Sequence, residues 1–316
     1  MGVNTVLGPI HPEQIGIASM HEHILWSSPG WQFSPEANEL FNPPEIFQRI
    51  YNELIDYKEA GGQTIVDCTG IGLGRDIEFN VFLAKSSGVN IVASTGFWDS
   101  IRVMHYFLTK GIDYLTDLFV KELTRGMGTT NVKAGVIKVG NGKERMTPFE
   151  EMTYRAAARA SRATGAAIIT HGIQFAIKQT EILLEEKVDP EKVVISHCDS
   201  GNALDFERDK CLAEKGFNVG YDLVGIEPEW SLQPFAMSDS KRVELCKAFI
   251  EAGYAKKLII SCDHDGCRIG LVYCGTPPHG YSYLLKNFVP RLRSAGISEE
   301  TIRLLLIENP KRILPF

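Results

Sequence analysis

No stretch of the 316-residue chain approaches the roughly 18 consecutive apolar residues that a membrane span needs. The start, Met1-Gly2-Val3-Asn4-Thr5, lacks the basic region and apolar stretch of a secretory leader. Blocks of like charge are missing too. The 33 basic and 39 acidic residues are interspersed, and their net charge of −6 speaks against a nucleic-acid or anionic-membrane surface, leaving small, neutral or mildly polar substrates as the better match. Cysteine is scarce and odd in number: seven scattered residues argue against a disulfide framework and describe core-filling thiols in a reducing compartment. A cytoplasmic setting is the expectation. No Gly-x-Gly-x-x-Gly follows the first apolar run, and Gly70-Ile71-Gly72-Leu73-Gly74 lacks a P-loop lysine and reads as a flexible βα loop. The Gly-x-Ser-x-Gly elbow of a serine hydrolase is also absent.

What the chain does have is apolar sequence in regular instalments. Hydrophobic residues make up 44% of it, spread evenly, which predicts one large α/β domain over 1–316. Eight short apolar runs read as strands: 15–20, 64–69, 90–95, 133–139, 166–171, 192–197, 217–222 and 257–263. Amphipathic stretches between and after them, at 44–60, 76–87, 116–123, 149–163, 176–186, 203–214, 238–252, 283–294 and 298–308, read as helices. Glycines such as Gly88 and Gly165 follow the helical stretches as C-caps. The strands lack polar alternation, as expected when helices cover a parallel sheet. Eight strand–helix units in about 300 residues predict a (β/α)8 TIM barrel, with a doubly wound open sheet as the runner-up.

The chemistry gathers where those strands end. His21 and His23 close the first run at i, i+2, a spacing that points both imidazoles to one side of a strand. Lys138, His171, His197 and Asp263 stand at the ends of four later runs. Imidazoles and a carboxylate suit a borderline-soft divalent ion, zinc first, with manganese, cobalt and iron as alternatives. Lys138, flanked by Val136, Ile137 and Val139, needs a polar reason to be on a core strand. Its ammonium either pairs with an acid such as Asp263, or its neutral amine takes up carbon dioxide to give a carbamate whose two oxygens can bridge two metals.

These residues lie in stretches that resemble the phosphotriesterase family of the amidohydrolase superfamily over nearly the whole chain. The matching stretches are His21-Glu22-His23, Leu73-Gly74-Arg75-Asp76, Thr95-Gly96-Phe97-Trp98, Ala134-Gly135-Val136-Ile137-Lys138-Val139, Thr170-His171, Ser196-His197, Ser261-Cys262-Asp263 and Glu308-Asn309-Pro310. The resemblance implies a homodimer of barrels with two divalent ions per chain. It implies that His21, His23 and Asp263 hold the more buried ion, that His171 and His197 hold the more exposed one, and that N-carboxylated Lys138 bridges them. Trp98 matches an aromatic substrate-pocket and interface position. Family lactonases acting on acyl-homoserine lactones carry Asp-Arg where this chain has Asp222-Leu223, which weakens that assignment. The loop from 264 to 280 is where specificity is expected, and Trp98, Asp199, Leu223, Arg268 and Tyr273 are the expected substrate-pocket residues.

Two divalent ions lower the pKa of a bridging water, so that hydroxide is the nucleophile and the exposed ion polarises the carbonyl or phosphoryl oxygen. Asp263 is the natural proton shuttle. The expected activity is a lactonase or esterase with promiscuous phosphotriesterase activity; a primary organophosphate triesterase, an amidase and a non-catalytic ligand-binding barrel are the competing readings. Asp199 is expected either to relay protons beside a ligand histidine or Asp263, or only to cap a helix starting near Asn202. His264, one residue beyond Asp263, is expected to point away from the metals and satisfy loop backbone.

Overall fold

The computed structural model describes residues 1–35, 37, 42–229, 231, 233–269 and 279–316. A short antiparallel hairpin, β1 (Val3–Thr5) and β2 (Gly8–Ile10), precedes the barrel. Then come β3 (Ile17–Ser27), β4 (Gly62–Asp67), β5 (Asn90–Phe97), β6 (Val136–Val139), β7 (Ala167–Ile169), β8 (Val193–Ile195), β9 (Asn218–Tyr221), β10 (Leu258–Ile260) and β11 (Asp265–Ile269). They form one sheet in the order β10-β9-β8-β7-β6-β5-β4-β3-β11, and the described pairings are all parallel.

The eighth barrel strand is made in two pieces. β10 pairs with β9, the chain steps through Ser261–His264, and β11 pairs with β3 in the register Asp265 to His23. Asp263 N–H donates to His21 O at 3.0 Å and His23 N–H to His264 O at 2.8 Å, so the step itself is tied to β3. The sheet therefore closes on itself, and the chain is a (β/α)8 barrel. Each of the eight predicted runs supplies one of its strands.

Helices cover the outside. α1 (Pro43–Glu59) buries Ile46, Ile50, Leu54 and Tyr57, a stripe at helical spacing. α2 (Pro148–Thr164) opens on a capping box between Thr147 and Glu150 and stops at Gly165, whose φ of 86° suits glycine. The stretch from 203 onward becomes helical only at α3 (Phe206–Glu214), because Asp205 caps it by accepting from Arg208 N–H. A separate apolar cluster containing Met20, Val66, Val92, Val136, Ile169, Val194 and Ile259 fills the barrel interior, with Val3 and Ile15 packed into it.

That interior cluster sets the direction of the chemical side chains. Val136 and Ile169 face inward, and two residues on, Lys138 and His171 do the same by strand alternation. On β3, Ala18 and Met20 face inward, so strict alternation would send His21 and His23 outward. A register shift between Ser19 and Glu22 resets the phase. At the end of β8, His197 takes a φ of 63°, and beyond β10, Asp263 takes 49°, left-handed conformations that re-aim their side chains.

Candidate metal centre

The six expected side chains do converge at the C-terminal mouth of the barrel. His21 Nε2 and His23 Nε2 each lie 3.3 Å from Asp263 Oδ1. Lys138 Nζ lies 2.6 Å from His21 Nε2 and donates to Thr170 O at 3.2 Å. His171 Nδ1 and His197 Nε2 are 2.8 Å apart. Asp263 thus faces the histidines, and the sequence-based alternative of a Lys138–Asp263 ion pair is not the arrangement found. Gly96, with φ of 99°, makes room for β6: a Cβ there would sit 2.0 Å from Lys138 O.

Asp222, at the end of β9, is the residue that sequence reasoning missed. Its Oδ2 is 2.7 Å from His21 Nδ1, and its Oδ1 is 2.8 Å from both His197 Nδ1 and His197 N–H. A carboxylate in that position fixes both rings with the proton on Nδ1 and leaves each Nε2 as a lone-pair donor. Asp222 and the two histidines also form a group able to hold an ion, but a carboxylate already engaged by two Nδ1–H groups orients ligands more readily than it serves as one. His23 Nδ1 lies 2.9 Å from Thr69 Oγ1, a hydroxyl that holds the ring in place as either donor or acceptor.

Burial, reinforced by the Lys138 charge, pushes the His21 imidazole down to about 4, and burial carries His171 well below its ordinary value. Both are neutral near pH 7, the form in which imidazole ligates. Burial would raise the Asp222 carboxyl, but the facing His197 and His21 rings bring it well below the usual carboxylate range. Imidazole nitrogens aimed at a shared carboxylate, at the base of an open cavity, fit a divalent-ion site: His21, His23 and Asp263 form one three-donor group.

Glu22, between the two histidines, is fully buried and points away from them. Its Oε1 accepts from Ser261 Oγ at 2.9 Å and Cys262 N–H at 3.1 Å, and its Oε2 from His264 N–H at 2.7 Å; Ser19 Oγ also donates to it. One carboxylate thus grips the backbone on both sides of Asp263, which holds that residue in its left-handed conformation. His264 points away, as expected, but toward Glu53 Oε2 on α1 at 2.8 Å rather than toward loop backbone.

A cavity of about 740 Å³ opens above the cluster and is lined in part by His23, His171, Asp263, Trp26, Trp98 and Arg268. Trp98 lies edge-on to His171 with ring centroids 4.5 Å apart. Asp199 and Leu223, expected in the pocket, are buried and do not line it. Asp199 accepts from Asp222 N–H and Leu223 N–H, each at 3.1 Å, and pairs with Arg242 Nε at 2.8 Å. It therefore secures the end of β9 from behind; it touches no ligand histidine, and the helix cap falls to Asp205. Tyr273 lies outside the described residues.

The phosphotriesterase family model matches residues 1–314. An aryldialkylphosphatase of Saccharolobus solfataricus is 33% identical over 317 residues, covering 96% of each chain. An N-acetyltaurine hydrolase of Xenopus tropicalis is 31% identical over 352 residues, covering 99% of this chain and 98% of its own. A solved structure from work on the molecular engineering of organophosphate hydrolysis activity from a weak promiscuous lactonase template superposes with a TM-score of 0.90 at 26% identity, covering 100% of both chains.

Proposed function

The chain belongs to the phosphotriesterase family of hydrolases, and from that premise we propose that it cleaves a lactone or carboxylic ester with two divalent ions and carries a side activity on phosphotriesters. The observation behind this reading is the convergence of His21, His23, Lys138, His171, His197 and Asp263 beneath an open cavity. Divalent ions held by these side chains, zinc first and manganese, cobalt or iron as alternatives, would activate water and polarise the substrate oxygen.

The protein's own groups do the rest. Asp263 is the most exposed member of its donor group, with 21% of its side chain accessible, and this supports its role in taking a proton from the attacking water and returning it to a departing alkoxide. Asp222 keeps His21 and His197 in the ligating tautomer, and Thr69 holds the His23 ring in place. Lys138, as the N-carboxylated carbamate, would contribute two oxygens sharing one negative charge to the cluster of metal donors. Trp26 and Trp98, edge to face with centroids 5.7 Å apart, give one wall of the cavity an apolar surface for the acyl or alkoxy part.

The assembly belongs to the proposal as a homodimer working in the cytoplasm; light scattering should return the mass of two chains, and a monomer would refute that part. No helix among the described residues is long and apolar enough to cross a membrane. The substrate class is tested by assaying metal-reconstituted protein on lactones, aryl esters, amides and dialkyl aryl phosphotriesters. The reading predicts higher kcat/KM for lactones or esters than for phosphotriesters. A marked preference for phosphotriesters or amides would overturn it.

A further inference from the structure

The chain as a whole is acidic, yet the rim of the cavity gathers four cations: Arg102, Lys143, Arg145 and Arg268. The carboxylates lining the same cavity are mostly engaged elsewhere. Asp263 belongs to the donor cluster, and Asp99 and Asp265 hold Arg102 and Arg268. Glu150 is occupied by Ser100 N–H at 3.0 Å, Gly142 N–H at 3.1 Å and Thr147 N–H at 2.7 Å. Glu144 remains, exposed to solvent. Lys143 and Arg145 are exposed on the rim without an ion-pair partner among the described residues.

Arg102 is the cation best built for recognition. Asp99 takes its Nη1 and its backbone N–H, the latter at 2.9 Å. Its guanidinium lies 4.3 Å from the centroid of Trp98 and 5.7 Å from that of Trp26. The Asp99 ion pair and the cation–π contacts hold the guanidinium in place, and no acceptor among the described residues meets Nε or Nη2. Trp98 in turn contacts His171. One indole therefore spans the distance from the donor cluster to a pre-oriented, half-satisfied guanidinium.

We infer that Arg102 is a specificity-determining residue that binds a carboxylate on the substrate, remote from the bond that is cleaved, with Lys143 and Arg145 drawing such anions to the mouth. This rests on the hydrolase reading above and narrows its substrate class to carboxylate-bearing esters or lactones. It departs from the expectation of neutral or mildly polar substrates drawn from net charge, because an average over the chain says nothing of the rim.

The test compares 4-acetoxybenzoate with methyl 4-acetoxybenzoate on the metal-loaded enzyme. Both release acetate, and the neutral ester has the better leaving group, so intrinsic reactivity works against the expected result. Wild type should favour the anion about tenfold or more in kcat/KM. Arg102→Gln should cut that ratio about tenfold, chiefly through KM, and salt at about 0.5 M should erode the wild-type preference by screening the rim. No preference for the anion, a ratio unchanged in Arg102→Gln, or a salt-independent ratio would each overturn the inference; the salt series decides it should the variant fail to fold. If neither ester is cleaved, the ester-hydrolase reading is at fault, and calorimetric titration with benzoate still separates the two questions. Weaker binding to Arg102→Gln supports the inference, and equal binding refutes it.

Discussion

Asp222→Asn perturbs the site without touching any of the six expected ligands. Aspartate offers two acceptor oxygens, one to the Nδ1–H of His21 and one to that of His197. Asparagine keeps one oxygen and turns an NH2 toward the other ring. That ring must then carry its proton on Nε2, the nitrogen facing the other donors, and lose its ligating lone pair. One charge-assisted hydrogen bond is lost, about 1.5–3 kcal/mol, and ligand-orienting substitutions of this kind cost roughly 10–100-fold in metal affinity or activity. The assay is competition with a chelator to obtain metal Kd, alongside kcat/KM at saturating metal. Affinity should fall about 10–100-fold, with part of the activity regained at high metal. Unchanged affinity and turnover would show that the two imidazoles do not depend on Asp222.

Three further substitutions probe the neighbours. Glu22→Gln replaces an acceptor of four donors with a group that presents its own N–H atoms to them, so a fold intact by circular dichroism with kcat/KM reduced about tenfold or more is expected; full activity would show that Asp263 needs no such grip. Lys138→Ala should lose most turnover and recover part of it with short carboxylic acids, while an unmodified lysine in fully metallated, active crystals would end the carbamate proposal. Asp263→Asn should lose several kcal/mol of transition-state stabilisation, each 1.36 kcal/mol being about tenfold in rate, and should harm esters with a basic alkoxide more than aryl phosphotriesters whose phenolate departs unaided. Equal, small losses on both substrate types in a metallated variant would reduce Asp263 to a ligand.

Much of this architecture can be read from one-dimensional signals. A parallel strand buried on both faces leaves an apolar run, and a helix leaves a stripe and a cap, so all eight strands and the helices between them were legible. The ends were less so. β3 continues past Met20 to Ser27 because His21, Glu22 and His23 are polar in sequence yet buried in the barrel. The division of the last strand into β10 and β11 leaves no compositional mark, since it follows from barrel closure. Candidate ligands showed themselves as rare polar residues at strand ends, but what orients them did not. Asp222 also ends a strand, a signal that could have flagged it, but its partners His21 and His197 are far off in sequence. Asp199 illustrates the converse: its nearness to His197 in sequence suggested a relay, whereas the backbone turn at His197 leaves Asp199 facing Arg242. Spacing along a strand also could not foretell the shift near Ser19 that brings His21 and His23 inside.

The central claim, a hydrolase that needs two divalent ions, is tested most directly by elemental analysis of purified, active protein coupled to turnover of a lactone or aryl ester before chelation, after it, and after metal is returned. The account predicts about two transition-metal ions per chain, loss of turnover as they are removed, and recovery with zinc, manganese, cobalt or iron. Full turnover by protein containing no transition metal would contradict it.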